Sequence, residues 1–196
     1  MSFFSTTLTM FLIMNSVGHI MGYLELVERL DSSRRQLIIV REMFLALLIM
    51  LFFYIIGDYL LEALEVNTQT ISLAGGLILF LIAIRMIFPV PKPTIHTFKE
   101  EPFIFPIATP MIAGPSILTT IMLYAHQETS GHQLVYALMI AWILSITVLF
   151  FAQQIRNVVG RRALIATERL MGLLLTMMAV EMLLKGFASI AAEGIR

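Results

Sequence analysis

The sequence predicts an all-α, polytopic membrane protein whose six transmembrane helices form two inverted three-helix repeats, with both termini outside the cytoplasm. Three observations predict this fold. Apolar residues make up 59% of the 196 residues and charged residues only 13%, about half the charged share of a soluble domain. The charged residues are also missing from long runs that could each cross a bilayer. Finally, Lys and Arg are concentrated in alternate loops between those runs.

Six segments account for the transmembrane helices. Four of them contain no Asp, Glu, Lys or Arg, and the other two contain only one or two such residues. A helix needs about 20 residues to cross about 30 Å of hydrocarbon. The predicted helices are residues 1–24, 43–61, 66–84, 102–127, 129–155 and 170–192. Within the last of them, Glu181 and Lys185 are four residues apart and are expected to pair.

The Lys and Arg residues predict the orientation. Ten of the 13 lie in the loops after predicted helices 1, 3 and 5, whereas the other connections and the termini carry only Arg196. Because cytoplasmic loops are enriched in Lys and Arg, this asymmetry predicts that both termini face away from the cytoplasm. The sequence Ser33-Arg34-Arg35-Gln36 also fits a capping box, which predicts that helix 2 begins at Ser33, ahead of the membrane.

The chain divides into two similar halves, residues 1–98 and 99–196, each with three predicted helices. A proline-rich polar segment at residues 89–102 separates the helices of the two halves and is expected to be a cytoplasmic linker. Because three is odd, two such halves lie in opposite orientations, which is the inverted-repeat design of many secondary transporters. A shift of 96 residues aligns identical residues in predicted helices 3 and 6, namely Gly76 with Gly172, Leu77 with Leu173, Leu79 with Leu175, Ala83 with Ala179 and Met86 with Met182.

Predicted helix 4 contains Pro110 and the run Gly114-Pro115-Ser116. Proline removes an amide donor and glycine makes irregular backbone less costly, so these residues predict a break in the helix. Pro115 fits the first position of a new half-helix, followed by Ser116 and Thr119. Residues 110–115 lie about 12–20 Å from the cytoplasmic face, near the middle of the membrane. A kink that only improves helix packing is the alternative.

The corresponding stretch of predicted helix 1 is Asn15-Ser16-Val17-Gly18-His19, and the same shift aligns Gly18 with Gly114. Polar groups at this depth face the protein interior or a cavity, and His is the residue type that titrates near neutral pH. Interhelical hydrogen bonding by Asn15 and His19 is the alternative. We expect a solute site between the two stretches, with these substrate-binding residues: Asn15, Gly18, His19, Pro110, Gly114, Pro115, Ser116 and Thr119.

Four motifs resemble those of the MarC family of bacterial inner-membrane proteins. They are the helix-1 stretch 15–19, Ala74-Gly75-Gly76, the run 106–115 and Glu168-Arg169-Leu170-Met171-Gly172. The resemblance covers essentially the whole chain and implies a six-helix protein of the bacterial inner membrane, related to the LysE-type exporter superfamily. The family pattern has proline where Ser16 and Met21 stand here, and asparagine where His19 stands. These departures leave open whether helix 1 is broken at residues 16–18.

Several classes of function are excluded or left without support. The chain has no cysteine, no nucleotide-binding loop and no H-E-x-x-H motif, so we expect no catalytic residues, no metal and no cofactor. A net charge of zero lacks the basic surface that binding to nucleic acid requires. The expected partners are the lipid bilayer and an unknown small solute. Proton coupling through His19 and a homo-oligomer stay open.

The sequence therefore predicts a multi-pass inner-membrane transporter or exporter of a small solute. The solute is anionic if the half-helix starting at Pro115 binds it, because a helix N-terminus carries a partial positive charge. Two alternatives stay open: a flippase for a lipid or lipid intermediate, acting in membrane homeostasis, and a non-transporting membrane scaffold. A polar cavity, a groove open to lipid and a dry bundle would distinguish the three.

Overall fold

The structure, a computed structural model, describes residues 3–27, 31–63, 65, 67–88, 112–127 and 131–193. The predicted linker and Pro110 lie outside these residues. The described residues form helices and no β-strand, which confirms the all-α class. In chain order the helices are α1 (Phe3–Met14), α2 (Ile20–Leu26), α3 (Ser32–Ala63), α4 (Thr68–Ile87), α5 (Pro115–Gln127), α6 (Gly131–Phe150), α7 (Ala152–Val159) and α8 (Arg161–Glu193).

Four of these helices are long and apolar enough to cross a membrane. The corresponding segments are residues 34–57 of α3, 69–87 of α4, 132–150 of α6 and 161–189 of α8. Helices α1 and α5 are also apolar, but they have only 12 and 13 residues. The part of the chain that the structure describes is thus a bundle of membrane-spanning length, while six complete spans stay a prediction.

Predicted helix 5 is not continuous over residues 129–155. Helix α6 ends at Phe150 and α7 begins at Ala152. The amide of Phe151 still donates to the carbonyl of Thr147 at 3.1 Å, so the irregularity is local. The hydroxyl of Thr147 donates to the carbonyl of Ile143 at 2.7 Å, an arrangement that tends to bend helices and that precedes the break by one turn.

Helix 2 begins ahead of its apolar run, as predicted, but one residue earlier than Ser33. Helix α3 begins at Ser32, so Ser33 lies inside the helix and is not its N-cap. The amide of Arg35 donates to the carbonyl of Asp31 at 2.9 Å. Because the N-cap residue is the one whose carbonyl accepts the first helical hydrogen bond, Asp31 takes the place that the capping-box pattern predicted for Ser33.

Helices of the first half pack mainly against helices of the second. The most extensive pair is α4 with α8, and α1 packs against α6 while α3 packs against α5. Under a shift of 96 residues, α2 corresponds to α5, α3 to α6 with α7, and α4 to α8, whereas the counterpart of α1 lies outside the described residues. The contacts of α2 with α6 and α7 are therefore the counterparts of the contact between α3 and α5.

Helices α4 and α8 cross in antiparallel orientation with one glycine from each at the crossing. A Cβ atom placed on Gly76 would lie 3.1 Å from the carbonyl oxygen of Ala179. A Cβ atom placed on Gly172 would lie 3.1 Å from the carbonyl oxygen of Ala83. Each contact becomes the other when 96 is added to or subtracted from the residue numbers. Helices in a bilayer associate through close packing, and glycines at this crossing let the two backbones approach.

One end of the bundle collects the arginines. The guanidinium of Arg35 donates to Oε1 of Gln153 at 3.4 Å, and the hydroxyl of Tyr23 donates to the carbonyl of Arg35 at 3.2 Å. These bonds bring the end of α2, the start of α3 and α7 together, and α8 begins directly after α7. We call this the arginine end, because it contains Arg34, Arg35, Arg156, Arg161 and Arg162.

Candidate functional site

The first apolar segment is broken at residues 15–19, between α1 and α2. Asn15 has a φ of 52°, in the left-handed region that asparagine adopts more readily than most residues. Its side chain folds over Gly18, since a Cβ atom on Gly18 would lie 2.5 Å from Oδ1 of Asn15. The break that the sequence left open is present, and it is formed without the prolines of the family pattern.

Two polar atoms at this break are buried and have no hydrogen-bond partner among the described residues. They are Oδ1 of Asn15 and Oγ of Ser16, whose residues are 2% and 0% exposed. The side-chain nitrogen Nδ2 of Asn15 donates a hydrogen bond to the sulfur of Met86 on α4 at 3.0 Å. Buried polar groups are costly unless they are paired, so these two oxygen atoms suit a polar ligand or a water molecule.

Helix α5 begins at Pro115, where the sequence predicts a new half-helix. The amide of Leu118 donates to the carbonyl of Gly114 at 3.2 Å. The hydroxyl of Thr120 donates to the carbonyl of Ser116 at 2.8 Å, and the hydroxyl of Thr119 bonds within the same turn. The two threonine protons are therefore used inside the helix, and only the oxygen lone pairs are left to accept a hydrogen bond.

The structure brings the two predicted stretches, on either side of the first break and at the start of α5, to one core. Helices α1 and α5 are in contact, and residues beside both breaks belong to the same apolar core. Asn15 contacts Gly18 and Met86, whereas Thr119 lies against Gly75 of α4. Of the predicted residues, Asn15, Gly18, Gly114 and Ser116 are buried, His19 and Thr119 are half-buried, and Pro115 is exposed.

A cavity of about 510 Å³ lies between α1, α4, α5 and α8. It lies at the N-terminal parts of α1 and α4 and the C-terminal parts of α5 and α8, opposite the arginine end, and we call this end the cavity end. Ile13 and Thr120 line it, so the cavity comes within two residues of Asn15 along the chain. The polar residues of its lining are Ser5, Thr9, Gln69, Ser72, Thr120, Tyr124, Glu181, Lys185 and Ser189.

Two residues that line the cavity, Ile13 and Thr120, lie near predicted binding residues in the sequence. None of the residues that line the cavity had itself been predicted to bind the solute. A signal was present, because Ser5 and Thr9, like Glu181, Lys185 and Ser189, recur every four residues and so share a helix face. The side chains of Glu181 and Lys185 pair at 2.9 Å, as expected, and each also borders the cavity. Within the described ranges, no three His, Asp or Glu residues are grouped so as to hold a metal ion.

The sequence also gave no indication of a buried carboxylate in α3. Glu42 is 0% exposed and lies in the apolar core, where one oxygen of its carboxylate pairs with Arg41 at 2.9 Å. Its other oxygen, Oε2, has no partner among the described residues. Glu42 escaped notice because it lies before the uncharged run of residues 43–61, in the part of helix 2 that was predicted to precede the membrane, where a charged residue is expected to be exposed.

Comparisons with known proteins agree on one family of membrane proteins. The family described as "MarC family integral membrane protein" matches residues 1–191. The chain is 41% identical over 186 residues to the UPF0056 inner membrane protein YhgN of Escherichia coli K12, covering 93% of this chain and 94% of the relative. It is also 41% identical, with the same coverage, to a UPF0056 membrane protein of Buchnera aphidicola subsp. Schizaphis graminum. A UPF0056 membrane protein of Chlamydia muridarum is 32% identical over 191 residues, which cover 96% of this chain and 94% of the relative. No solved structure matches the chain.

Proposed function

The chain belongs to the MarC family of integral membrane proteins, and on that premise we propose that it transports a small polar solute across the bacterial inner membrane through the cavity between its halves. The inner membrane is its location, since a close relative carries that description and several helices here have membrane-spanning length. The transported solute, the path and the topology are the parts that we propose.

The proposed architecture is six spans in two inverted repeats, with both termini outside the cytoplasm. In this arrangement α1 with α2 forms the first span, and α5 forms the described part of the fourth. The reciprocal contacts of Gly76 and Gly172 support a two-fold relation between the halves. The antiparallel packing of α4 with α8 supports their opposite orientation, and the arginine end matches the predicted cytoplasmic side.

The polar cavity is the observation that carries the proposal. A bundle that serves only as a scaffold gains nothing from a cavity of about 510 Å³ with nine polar side chains in its wall. Polar groups inside a membrane bundle are costly and typically mark a path for a polar solute. The cavity is also formed by both halves, which is where inverted-repeat transporters bind their substrates.

From the cavity, the proposed path continues to the two breaks near the middle of the membrane. The unpartnered oxygens of Asn15 and Ser16 supply hydrogen-bond acceptors there. The start of α5 at Pro115 and Ser116 supplies a helix N-terminus, which favours a carboxylate or phosphate group on the solute. The predicted binding residues, including His19 as a group for proton coupling, thus line the inner end of the path in this proposal.

A cavity-filling variant tests the proposal. Thr9→Phe adds an aromatic ring to the cavity wall, whereas the control Leu8→Phe places the same ring on the neighbouring residue, which is 44% exposed and lies outside the cavity. Metabolites of cells and spent medium are compared between a deletion strain and strains that produce the wild type or either variant at equal levels. We expect the wild type and Leu8→Phe to shift the distribution of one or a few small anionic solutes, and Thr9→Phe to match the deletion strain.

Equal behaviour of the two variants, or no shifted metabolite with the wild type, would contradict transport through this cavity. A shift confined to cations would leave transport intact but contradict the anionic class. These outcomes separate the path from the chemistry of the solute.

A lipid flippase is the second candidate, and one observation favours it. Glu181 and Lys185 line the cavity and also a shallow groove on the outer surface of α8, together with Val180 and Leu184. A lipid could place its headgroup against the ion pair while its acyl chains stay in the groove. In the same comparison of strains, a flippase would change the lipid composition of the outer leaflet and leave the soluble metabolites unchanged.

A further inference from the structure

Helix α8 carries an ion pair on the side that faces away from α4. Between residues 170 and 189 the only charged residues are Glu181 and Lys185, whose side chains pair at 2.9 Å and are 66% and 60% exposed. Helix α4 packs on the other side of α8, where its Gly76 lies against the carbonyl oxygen of Ala179. Successive residues of a helix are rotated by about 100°, so Glu181 points about 160° away from Ala179.

The ion pair lies near the middle of the membrane. A Cβ atom on Gly76 would lie 3.1 Å from the carbonyl oxygen of Ala179 and 3.1 Å from Cβ of Met182. Glu181 lies between these two residues of α8 and is therefore level with Gly76. Gly76 is eight residues from the start of α4 at Thr68, which is about 12 Å into a helix of membrane-spanning length. Charged groups at this depth are costly, so they typically face the bundle interior or a cavity and pair with one another.

The cavity accounts for only one side of this pair. Glu181 and Lys185 line the cavity, and they also line the shallow groove on the outer surface of α8. Among the described residues no other helix contributes to the groove, whose remaining lining is Thr176, Met177, Val180, Leu184 and Ala188. The ion pair therefore forms the boundary between the polar cavity and an apolar outer surface, and that surface meets lipid unless another chain covers it.

We propose that this groove is the interface of a symmetric dimer, in which the α8 helices of two copies pack against each other at Glu181 and Lys185. A two-fold dimer uses the same patch on both copies, so the patch has to be complementary to itself. Neighbouring acidic and basic side chains meet this requirement, because the carboxylate of one copy pairs with the ammonium of the other in both directions. All copies insert with the same orientation, so the two-fold axis runs along the membrane normal and equal depths meet.

The side chains fit such a pairing. Glu181 and Lys185 are about 6 Å apart along the helix axis, a distance that the flexible four-carbon stem of lysine spans. In the dimer each carboxylate lies between two ammonium groups. Opposite charges attract more strongly at low dielectric constant than in water, so the middle of the membrane favours this cluster. Met177 and Leu184, on either side of Glu181 along the groove, supply the close apolar packing through which helices associate in a bilayer.

The dimer goes beyond the transport function and does not depend on it, because the interface needs only the membrane location. It does bear on the cavity. Since Glu181 and Lys185 border the cavity as well as the groove, the second copy closes the edge at which the cavity meets the lipid. The two cavities of the dimer then lie side by side.

Single cysteines test the interface, because the chain has none of its own. Leu184→Cys replaces a groove residue that is 64% exposed. Leu77→Cys is the matched control: Leu77 is 54% exposed, lies next to Gly76 on α4 and lines neither the cavity nor the groove. Membranes containing either variant are oxidised with copper phenanthroline, and disulfide-linked dimers are measured on non-reducing gels. Leu184→Cys should link at least about tenfold faster, because an interface holds the two thiols at a high effective concentration.

Exchange of charges tests the pairing between copies. In the Leu184→Cys chain, Glu181→Lys leaves two ammonium groups on each copy, and Lys185→Glu leaves two carboxylates. Either variant alone should link about tenfold more slowly or worse, since juxtaposed like charges repel. Coexpression of the two variants with different tags should restore links between unlike copies to near the original rate. Mixing cannot restore a pair that forms within one copy, because each copy then carries charges of one sign only.

Faster linking of Leu184→Cys than of Leu77→Cys, with restoration by mixing, supports the dimer. Equal linking of the two positions overturns it, because random collisions treat them alike, and so does a mixture that stays unlinked while both charge variants reach wild-type levels. If a charge variant is degraded, the comparison of Leu184→Cys with Leu77→Cys in the otherwise unchanged chain decides by itself. The measurement needs no solute, so a linked dimer that shifts no metabolite would keep the interface and reject transport.

Discussion

At the scale of single residues, the effect of a buried polar side chain on stability depends on whether it keeps its partner. Glu42 is fully buried beside Arg41, whereas the Arg41 side chain is 34% exposed. The two members of this ion pair are therefore not equivalent. Losing the arginine leaves a carboxylate in the core without its partner, while neutralising the glutamate leaves an arginine that still reaches the surface.

Arg41→Ala is expected to destabilise the protein by about 3–5 kcal/mol, because it leaves an uncompensated buried charge. Glu42→Gln should cost less than about 1.5 kcal/mol, since the amide oxygen can still accept a hydrogen bond from Arg41. The double variant Arg41→Ala with Glu42→Gln should regain most of the stability that Arg41→Ala loses. Unfolding in mixed micelles followed by circular dichroism measures all three, and a Glu42→Gln variant as unstable as Arg41→Ala would show that the asymmetry is wrong.

At the scale of helices, proline and glycine determine where elements end and how closely they pack. Helix α5 begins at Pro115, and α1 ends just before Asn15 in the left-handed region. The crossing of α4 with α8 depends on Gly76 and Gly172, whose missing side chains leave room for carbonyl oxygens of the partner helix. Backbone atoms cannot rotate out of the way as side chains can.

Gly76→Ala and Gly172→Ala should each destabilise the protein by about 1–3 kcal/mol, because the added methyl group overpacks the crossing. The two losses should agree within about 1 kcal/mol, since their surroundings are equivalent. Gly57→Ala is the control: its Cβ would lie 3.0 Å from Cγ of Met122, a side chain that can change rotamer. Thermal unfolding in detergent compares the three, and a tolerated Gly172→Ala beside a damaging Gly76→Ala would contradict the reciprocal packing.

At the scale of the whole molecule, charge and orientation are linked. The arginines of α3, α7 and the start of α8 collect at one end, and the polar cavity lies at the other. The positive-inside rule assigns the arginine end to the cytoplasm and the cavity end to the outside. This assignment predicts that both termini face outward.

Labelling of single cysteines checks this topology. Gln133→Cys, at the start of α6, should react with an impermeant maleimide in intact spheroplasts. Val158→Cys, on α7 at the arginine end and 86% exposed, should react only after lysis. Because both positions are exposed, a difference in labelling reports their side of the membrane rather than their burial. The opposite labelling would place the termini in the cytoplasm.

The sequence by itself determined the helical class, the membrane environment, the start of a half-helix at Pro115 and the residues that repeat after 96 positions. These follow from local physics: apolar length has to match the bilayer, proline cannot donate its amide, and glycine permits close approach. Tertiary structure alone decided that the first helix breaks without proline, that Glu42 is buried and that the cavity lies beside the predicted site residues. The cavity forms between four helices that come from both halves, α1, α4, α5 and α8. Its lining brings Ser5 and Thr9 of α1 beside Glu181 and Lys185 of α8, and no short stretch of sequence carries that information.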